Sequence, residues 1–302
     1  MCVVHTVAEY LEYLTNIKST LSLSNAVSCN TFFRGQADAT WQLSPSLYRQ
    51  GLFNSENLLL TEMRHICPNE FLGNRFDSLV KMQHFGMPTR LLDTTTNPLV
   101  ALYFACESDK QLDKDGAVYM FPNLPVSWST NPLVDLIMDF VYDYSPQGLW
   151  LDQILDLTQK KYANAVYRLM PENIDSLLHD LEIPVLAVMP AKTNERLEAQ
   201  DGAFFVFGMS LCSRVVSTNP GTLGRVYYNF DPIKINDPRK VWHKTEIITV
   251  PSTAKEEILK QLDILGVNER KLFPDLSHQI SHTVKSVKLY NKVTRGDEHD
   301  QL

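Results

Sequence analysis

The sequence predicts an α+β fold built on a mixed central β-sheet, and three observations support this. Candidate strands and helices follow one another without the strict alternation of a parallel α/β fold. Short apolar runs bounded by glycine or proline, such as GAVYMFP and EIITVP, are typical of strands. Elsewhere leucine and isoleucine recur at helical spacing, notably near residues 7–20 and 255–265.

The 302 residues are predicted to form one continuous domain. Its core spans about 27–125 and 183–276, preceded by a helix at about 6–20. Thr6 with Glu9, and Thr253 with Glu256, have the spacing of a capping box at a helix start. Three runs of helical period in an acidic, glycine-poor stretch predict a helical insertion at about 126–182. The sequence leaves open whether this insertion is a lid, a partner surface or extra core.

Composition excludes several classes of protein. A net charge of −7 and a pI near 5.6 provide no global field for nucleic acid or membrane, so a nucleic-acid partner requires a local basic patch. The five cysteines never occur as CxxC, and His278 and His282 lack a third ligand nearby, so we expect neither disulfides nor a metal. Without a bilayer-length apolar run or a basic N-terminal leader, we expect a cytoplasmic protein with no membrane partner.

The first candidate for chemistry is FFRGQ, which contains Arg34, Gly35 and Gln36. The planar guanidinium of Arg34 suits a diphosphate, and Gly35 removes the Cβ that would keep a ligand away from the backbone. The alternative is an arginine paired with a buried carboxylate beside a turn glycine.

The second candidate is a loop within residues 83–105 that runs into an apolar helix, with Asn97 as its cap and Pro98 in its first turn. A helix start with hydroxyls and unpaired N–H groups suits phosphate or ribose. The alternative is simple capping together with an Arg90–Asp93 surface pair. The candidate side chains are His84, Arg90, Asp93, Thr94, Thr95, Thr96 and Asn97.

The third candidate comprises two segments, 196–207 and 244–251, in which polar residues stand at the ends of apolar strands. A carboxylate or amide there could hydrogen-bond a ribose hydroxyl. The alternative is that strand ends are polar in most proteins. The side chains concerned are Glu198, Gln200, Asp201 and Glu246.

Four segments, FFRGQ, QHFGMPTRLLDTTTNPLVALYFA, RLEAQDGAFFVFG and LKQLDILGVNERKLFPDL, resemble the FRG domain, which is named after the tripeptide seen here as Phe33-Arg34-Gly35. The resemblance runs from about residue 27 to 276, and its motifs do not cover 130–182. It implies the toxin of a bacterial toxin–antitoxin or phage-defence system, with an antitoxin as a neutralising partner.

The motif order also resembles the ADP-ribosyltransferase superfamily, which implies a split-sheet core and NAD as substrate. On this resemblance Arg34 would hold the phosphates or ribose of NAD, and Thr94, Thr95 and Thr96 would correspond to the Ser-Thr-Ser element. The late catalytic acid would be Glu246, which precedes an apolar strand, with Gln200 and Asp201 as alternatives.

The predicted function is therefore an NAD-dependent ADP-ribosyltransferase acting on a macromolecule, with RNA favoured over protein as the acceptor. An unpaired base could be received by aromatic or basic side chains near the cleft. Two alternatives remain, namely an NAD glycohydrolase and a non-catalytic nucleotide-binding or nucleic-acid-binding module. The candidate side chains for the base are Trp41, Arg49, Arg75 and Lys81.

Overall fold

The structure is a computed structural model that describes residues 2–20, 29–107, 111–143, 148–153, 185–242 and 244–294. Within these ranges the chain forms two β-sheets flanked by helices. The strands are β1 (Cys2–Val3), β2 (Cys29–Gln36), β3 (Leu91–Thr95), β4 (Gly116–Pro125), β5 (Ser127–Trp128), β6 (Leu149–Trp150), β7 (Val185–Met189), β8 (Gly202–Phe207), β9 (Met209–Val216), β10 (Val226–Pro232) and β11 (Glu246–Val250).

The helices of the described residues are numbered in the same way. They are α1 (Val7–Thr20), α2 (Ser46–Arg49), α3 (Glu56–Ile66), α4 (Arg75–His84), α5 (Pro98–Cys106), α6 (Pro132–Asp143), α7 (Glu195–Ala199), α8 (Pro238–Val241), α9 (Lys255–Ile264), α10 (Glu269–Leu272) and α11 (Leu276–Thr294).

The described strands form a large mixed sheet and a small antiparallel one. The large sheet has the order β1-β11-β4-β2-β3-β8-β7-β5, and only its two outer pairs, β1–β11 and β5–β7, are parallel. The small sheet has the order β6-β10-β9. This arrangement confirms the predicted α+β class with a mixed central sheet.

At the centre of the large sheet, the pairing between β2 and β3 is very short, and we call this place the joint. Strand β2 pairs with β4 from Cys29 to Gln36, and β3 pairs with β8 throughout its length. Between β2 and β3, in contrast, only Phe33 and Thr95 are paired. Within the one eight-stranded sheet, β2 and β4 therefore lie on one side of this joint, and β3 and β8 lie on the other.

Both faces of the large sheet are covered by apolar residues, as the alternation along its strands requires. On one face Phe33 packs with α1, α5 and α9, while Phe204 packs with α3, α4 and α6. The opposite face buries Phe32 and Phe205, which contact each other edge to face, together with Trp242. Helices α4 and α5 thus approach the central joint from the two halves.

Helix α5 lies unusually close to β2, and Gly35 makes this possible. A Cβ on Gly35 would stand 1.9 Å from the carbonyl oxygen of Ala101 and 2.7 Å from the amide nitrogen of Ala105. The sequence hypothesis explained Gly35 by the close approach of a ligand to the backbone. The structure gives a different reason, because the absent Cβ leaves room for the backbone of α5.

Two further sequence predictions can be compared with the fold. The predicted loop within 83–105 contains strand β3, so that prediction is wrong for residues 91–95. Within the predicted insertion, α6 is buried against α3 and α4, whereas residues 154–182 lie outside the described part. Among the described residues, no helix has both the length and the apolar character needed to cross a bilayer.

Candidate functional site

A polar cavity of about 590 Å³ lies at the joint between β2 and β3. Its walls come from the ends of these two strands and from α4, α5 and α7, and its size is typical of a site for a small organic ligand. Eight of the predicted site residues line it: Arg34, Gly35, Gln36, His84, Asp93, Thr94, Thr95 and Gln200.

Arg34 extends across the joint. Its Nη1 donates a hydrogen bond to the backbone oxygen of Asp93 at 2.5 Å, while its Nε is buried and has no partner. It forms no ion pair with any carboxylate of the described residues, which excludes the alternative of a buried Arg–carboxylate pair. Burial lowers the pKa of Arg34, and nearby Asp93 partly opposes this effect.

Three buried polar atoms of this cavity lack a hydrogen-bond partner. They are Arg34 Nε, Gln36 Oε1 and Thr94 Oγ1, and in the described part of the chain only Asp275 Oδ2 shares this condition. The side chains are well enclosed, since Gln36 is 2% and Thr94 6% exposed. An unsatisfied buried polar group costs about 1–3 kcal/mol. Three such atoms in one cavity therefore indicate a place for the polar atoms of a ligand.

Two carboxylates line the cavity, and one of them was missed by the sequence reasoning. Asp93 Oδ1 accepts a hydrogen bond from Gln83 Nε2 at 2.7 Å, and Gln83 is itself held by the Thr89 hydroxyl. The other is Glu107, which directly follows α5. It is the first charged residue after thirteen uncharged ones, and a charge at the end of an apolar helix is the signal that could have identified it.

Three further lining residues, His84, Arg196 and Trp41, have charged or aromatic side chains. Burial and the charge of Arg196 lower the pKa of His84. Arg196 lies over the Phe273 ring at 4.6 Å, and His278 stacks on the same ring at a centroid separation of 4.9 Å. Trp41 also lines the cavity and is 45% exposed. The rings of Trp41 and His84 are thus available to a ligand in the cavity.

Arg90 lies outside the cavity. It is completely buried, and its Nε and Nη2 both bind the carboxylate of Glu56, with the former bond at 2.8 Å. Its Nη1 donates to the backbone oxygen of Phe207 at 2.8 Å. With its donors engaged in this way, Arg90 supports the fold, and the Arg90–Asp93 surface pair considered from the sequence does not form.

Glu246, the favoured catalytic acid of the sequence hypothesis, and Asp201, one of its alternatives, also lie outside the cavity lining. Glu246 begins β11, separated from β2 by β4, and accepts a hydrogen bond from the Tyr13 hydroxyl at 3.1 Å. The carboxylate of Asp201 accepts from Asn97 Nδ2 at 3.1 Å, and its backbone oxygen accepts from the amide of Thr96. Gln200 lines the cavity, but its Nε2 donates to the backbone oxygen of Leu272.

The candidate side chains for an unpaired base are likewise separated by the structure. Trp41 stands at the cavity, and Arg49 lines a smaller cavity beside it. Arg75 is paired with Asp139 and Asp143, and Lys81 with Glu70. Within the described ranges, no three His, Cys, Asp or Glu side chains are grouped in a way that could hold a metal ion.

The fold and site together define an α+β protein with a polar cavity beside the short β2–β3 contact of its central sheet. Residues 29–114 match the family model described as the FRG domain, and this match supports the resemblance of the chain to the FRG-domain family. The match contains β2, α4, β3 and α5, and hence most of the cavity wall. No curated protein and no solved structure matches the chain.

Proposed function

We propose that this protein is an NAD-dependent ADP-ribosyltransferase, and that the cavity at the β2–β3 joint binds NAD as its substrate. The observation that carries the proposal is the set of three unpartnered buried atoms, Arg34 Nε, Gln36 Oε1 and Thr94 Oγ1. A guanidinium donor, an amide acceptor and a hydroxyl complement the phosphate, carboxamide and hydroxyl groups of a dinucleotide.

The division of the sheet supports the same proposal. An ADP-ribosyltransferase-like core would have two half-sheets with the dinucleotide between them. Here the halves share only the Phe33–Thr95 pair, and the cavity lies at that joint. Arg34 belongs to one half and Thr94 to the other, so a ligand bound to both would span the division.

Cleavage of NAD breaks the bond between the nicotinamide nitrogen and ribose C1′, and the electron pair leaves with nicotinamide. A carboxylate near the ribose stabilises the positive charge that develops there and accepts the proton of the acceptor nucleophile as the new bond to C1′ forms. Because Glu246 and Asp201 lie outside the cavity lining, we propose Glu107 for this role. Asp93, whose carboxylate accepts a hydrogen bond from Gln83 Nε2, is the alternative.

The acceptor is proposed to be a macromolecule, with RNA favoured over protein. The exposed ring of Trp41 at the cavity supports this choice, because an unpaired base can stack on such a ring. A bacterial toxin or anti-phage protein of the cytoplasm, restrained by an antitoxin, is the biological setting that the family resemblance suggests.

The proposal is tested with NAD labelled in its adenylate half, incubated separately with total RNA, DNA and cell protein. We expect the wild-type chain to label RNA, and we expect Thr94→Val and Glu107→Gln to lose the label while remaining folded. Glu246→Gln is the matched control and should retain activity. If the wild type neither consumes NAD nor labels a polymer, the enzyme proposal is refuted.

A second candidate is a binding module that holds a nucleotide without consuming it. The position of Glu246 favours this candidate, because the predicted catalytic acid is engaged with Tyr13 away from the cavity. Saturable binding of NAD without any consumption of NAD would identify a binding module. Free ADP-ribose without labelled polymer would instead identify an NAD glycohydrolase.

A further inference from the structure

A second, smaller cavity of about 150 Å³ adjoins the large one. The two share Arg34, Gln83 and Asp93 as a common wall. Arg49, the last residue of α2, also lines the smaller cavity, so that two arginines line one small space.

Neither arginine has an ion-pair partner in the described part of the chain, although the nearby charge of Asp93 acts on Arg34. Among the described residues, no carboxylate forms an ion pair with Arg34 or Arg49. The Nε of Arg34 is buried and unpartnered, and Arg49 uses its Nη1 on the backbone oxygen of Ser44. The charge of Arg49 acts on Arg34 and helps to lower its pKa, so the two groups are close enough to repel each other.

Asp93 provides the negative charge of this cavity, but it is exposed to solvent and its carboxylate is held by Gln83. The excess positive charge and the unused donor together favour an oxyanion. Arginine binds the oxygen atoms of phosphate particularly well because its donors form a planar fork.

We propose that the cavity between Arg34 and Arg49 is a phosphoryl-binding subsite. Its ligand is either the diphosphate of the bound dinucleotide or a phosphodiester of a nucleic-acid acceptor. The second source would give a protein of net charge −7 a local basic contact for nucleic acid, and the assignment of either source rests on the proposed function.

The test measures binding of four probes to the full chain: inorganic pyrophosphate, NAD, a single-stranded RNA oligonucleotide, and the same oligonucleotide with neutral methylphosphonate linkages. The variants are Arg49→Gln and Arg49→Lys, with the exposed Arg270→Gln as control. Because a hydrogen bond to a charged group is lost, we expect Arg49→Gln to weaken pyrophosphate binding by about tenfold. Arg49→Lys should retain part of the affinity, and Arg270→Gln should bind like the wild type.

The other probes identify the source of the phosphoryl group. Weaker NAD binding with unchanged RNA binding assigns the subsite to the dinucleotide. Weaker RNA binding, with a salt-dependence slope reduced by about 0.7, assigns it to one backbone phosphate. Equal binding of every probe to wild type and Arg49→Gln overturns the proposal. Consumption of NAD is measured separately, so a failure of the proposed function would be recognised independently.

Discussion

The replacement of Thr94 by valine should stabilise the free protein and impair its function. Thr94 is 6% exposed, and its hydroxyl has no partner in the folded chain. Such a group costs about 1–3 kcal/mol when buried, whereas valine has nearly the same shape and favours strands. We therefore expect Thr94→Val to raise the free energy of unfolding by about 1 kcal/mol.

Thr95, the next residue of the same strand, provides a matched control. Its hydroxyl donates to the backbone oxygen of Gln200 at 2.7 Å and accepts from the amide of Asn97 at 3.0 Å. Thr95→Val would leave both backbone groups without this partner, so the free energy of unfolding should fall by about 2 kcal/mol. Two identical substitutions at adjacent positions should thus have opposite effects on stability.

Urea unfolding of the two variants, beside calorimetric titration with NAD, examines both parts of this prediction. We expect Thr94→Val to bind NAD at least tenfold more weakly, since one hydrogen bond is worth about 1 kcal/mol and an unmatched ligand group adds to the loss. Destabilisation of Thr94→Val to the level of Thr95→Val would refute the view that the hydroxyl is unsatisfied. A stabilised variant with unchanged ligand binding would show that the hydroxyl does not serve the ligand.

Three further predictions concern the parts of the fold that surround the cavity. Glu56→Gln should lower the free energy of unfolding by about 3–5 kcal/mol in urea titrations, because it leaves the buried Arg90 charge uncompensated; a loss below 1 kcal/mol would contradict the structural role of this pair. Gly35→Ala should cost about 3 kcal/mol because its Cβ would overlap the Ala101 oxygen, whereas Gly73→Ala, with open space around it, should change stability by less than about 0.5 kcal/mol. Burial, and then the charge of Glu246, raise the pKa of Tyr13 to about 12 from 10.0. The stability that this phenol contributes should therefore be complete below pH 10 and lost as the pH rises to about 12, and Tyr13→Phe should remove that dependence. Equal alkaline unfolding profiles of the wild type and Tyr13→Phe would argue against the Tyr13–Glu246 contact.

Local sequence signals predicted many of the helices and strands, but a helix-start signal did not always produce the expected side-chain cap. Thr6 and Glu9 cap α1 as expected, through bonds from the Glu9 amide to the Thr6 hydroxyl and from the His5 amide to the Glu9 carboxylate. The same spacing at Thr253 forms no side-chain cap on α9, because Ser252–Ala254 already turn as a 3₁₀-helix. A capping motif thus indicates a helix start without fixing its residue.

The cavity itself was predicted in part, because its residues belong to distant segments. Arg34, Gln36 and Thr94 were identified from their own motifs, and strand pairing brings them together at the joint. The role of Arg90 could not be inferred, since its partner Glu56 is 34 positions away and becomes a neighbour only through packing. The position of Glu246 outside the cavity lining could not be inferred for a similar reason, because the sequence does not reveal that β4 lies between β11 and β2.

The single Phe33–Thr95 pair at the centre of the sheet has a mechanical consequence. A continuous series of hydrogen bonds between β2 and β3 would make the two sides of the sheet unfold together. Here the two strands are connected by the bond from Arg34 Nη1 and by this one pair. A ligand that bridges Arg34 and Thr94 would replace the missing rungs, and amide hydrogen exchange of β2 and β3 should slow together when NAD is added. Unchanged exchange in a saturated complex would contradict this coupling. The bound ligand would then supply the connections between β2 and β3 that the ligand-free protein lacks. The space for the ligand would thus be gained at the expense of stability at the centre of the sheet.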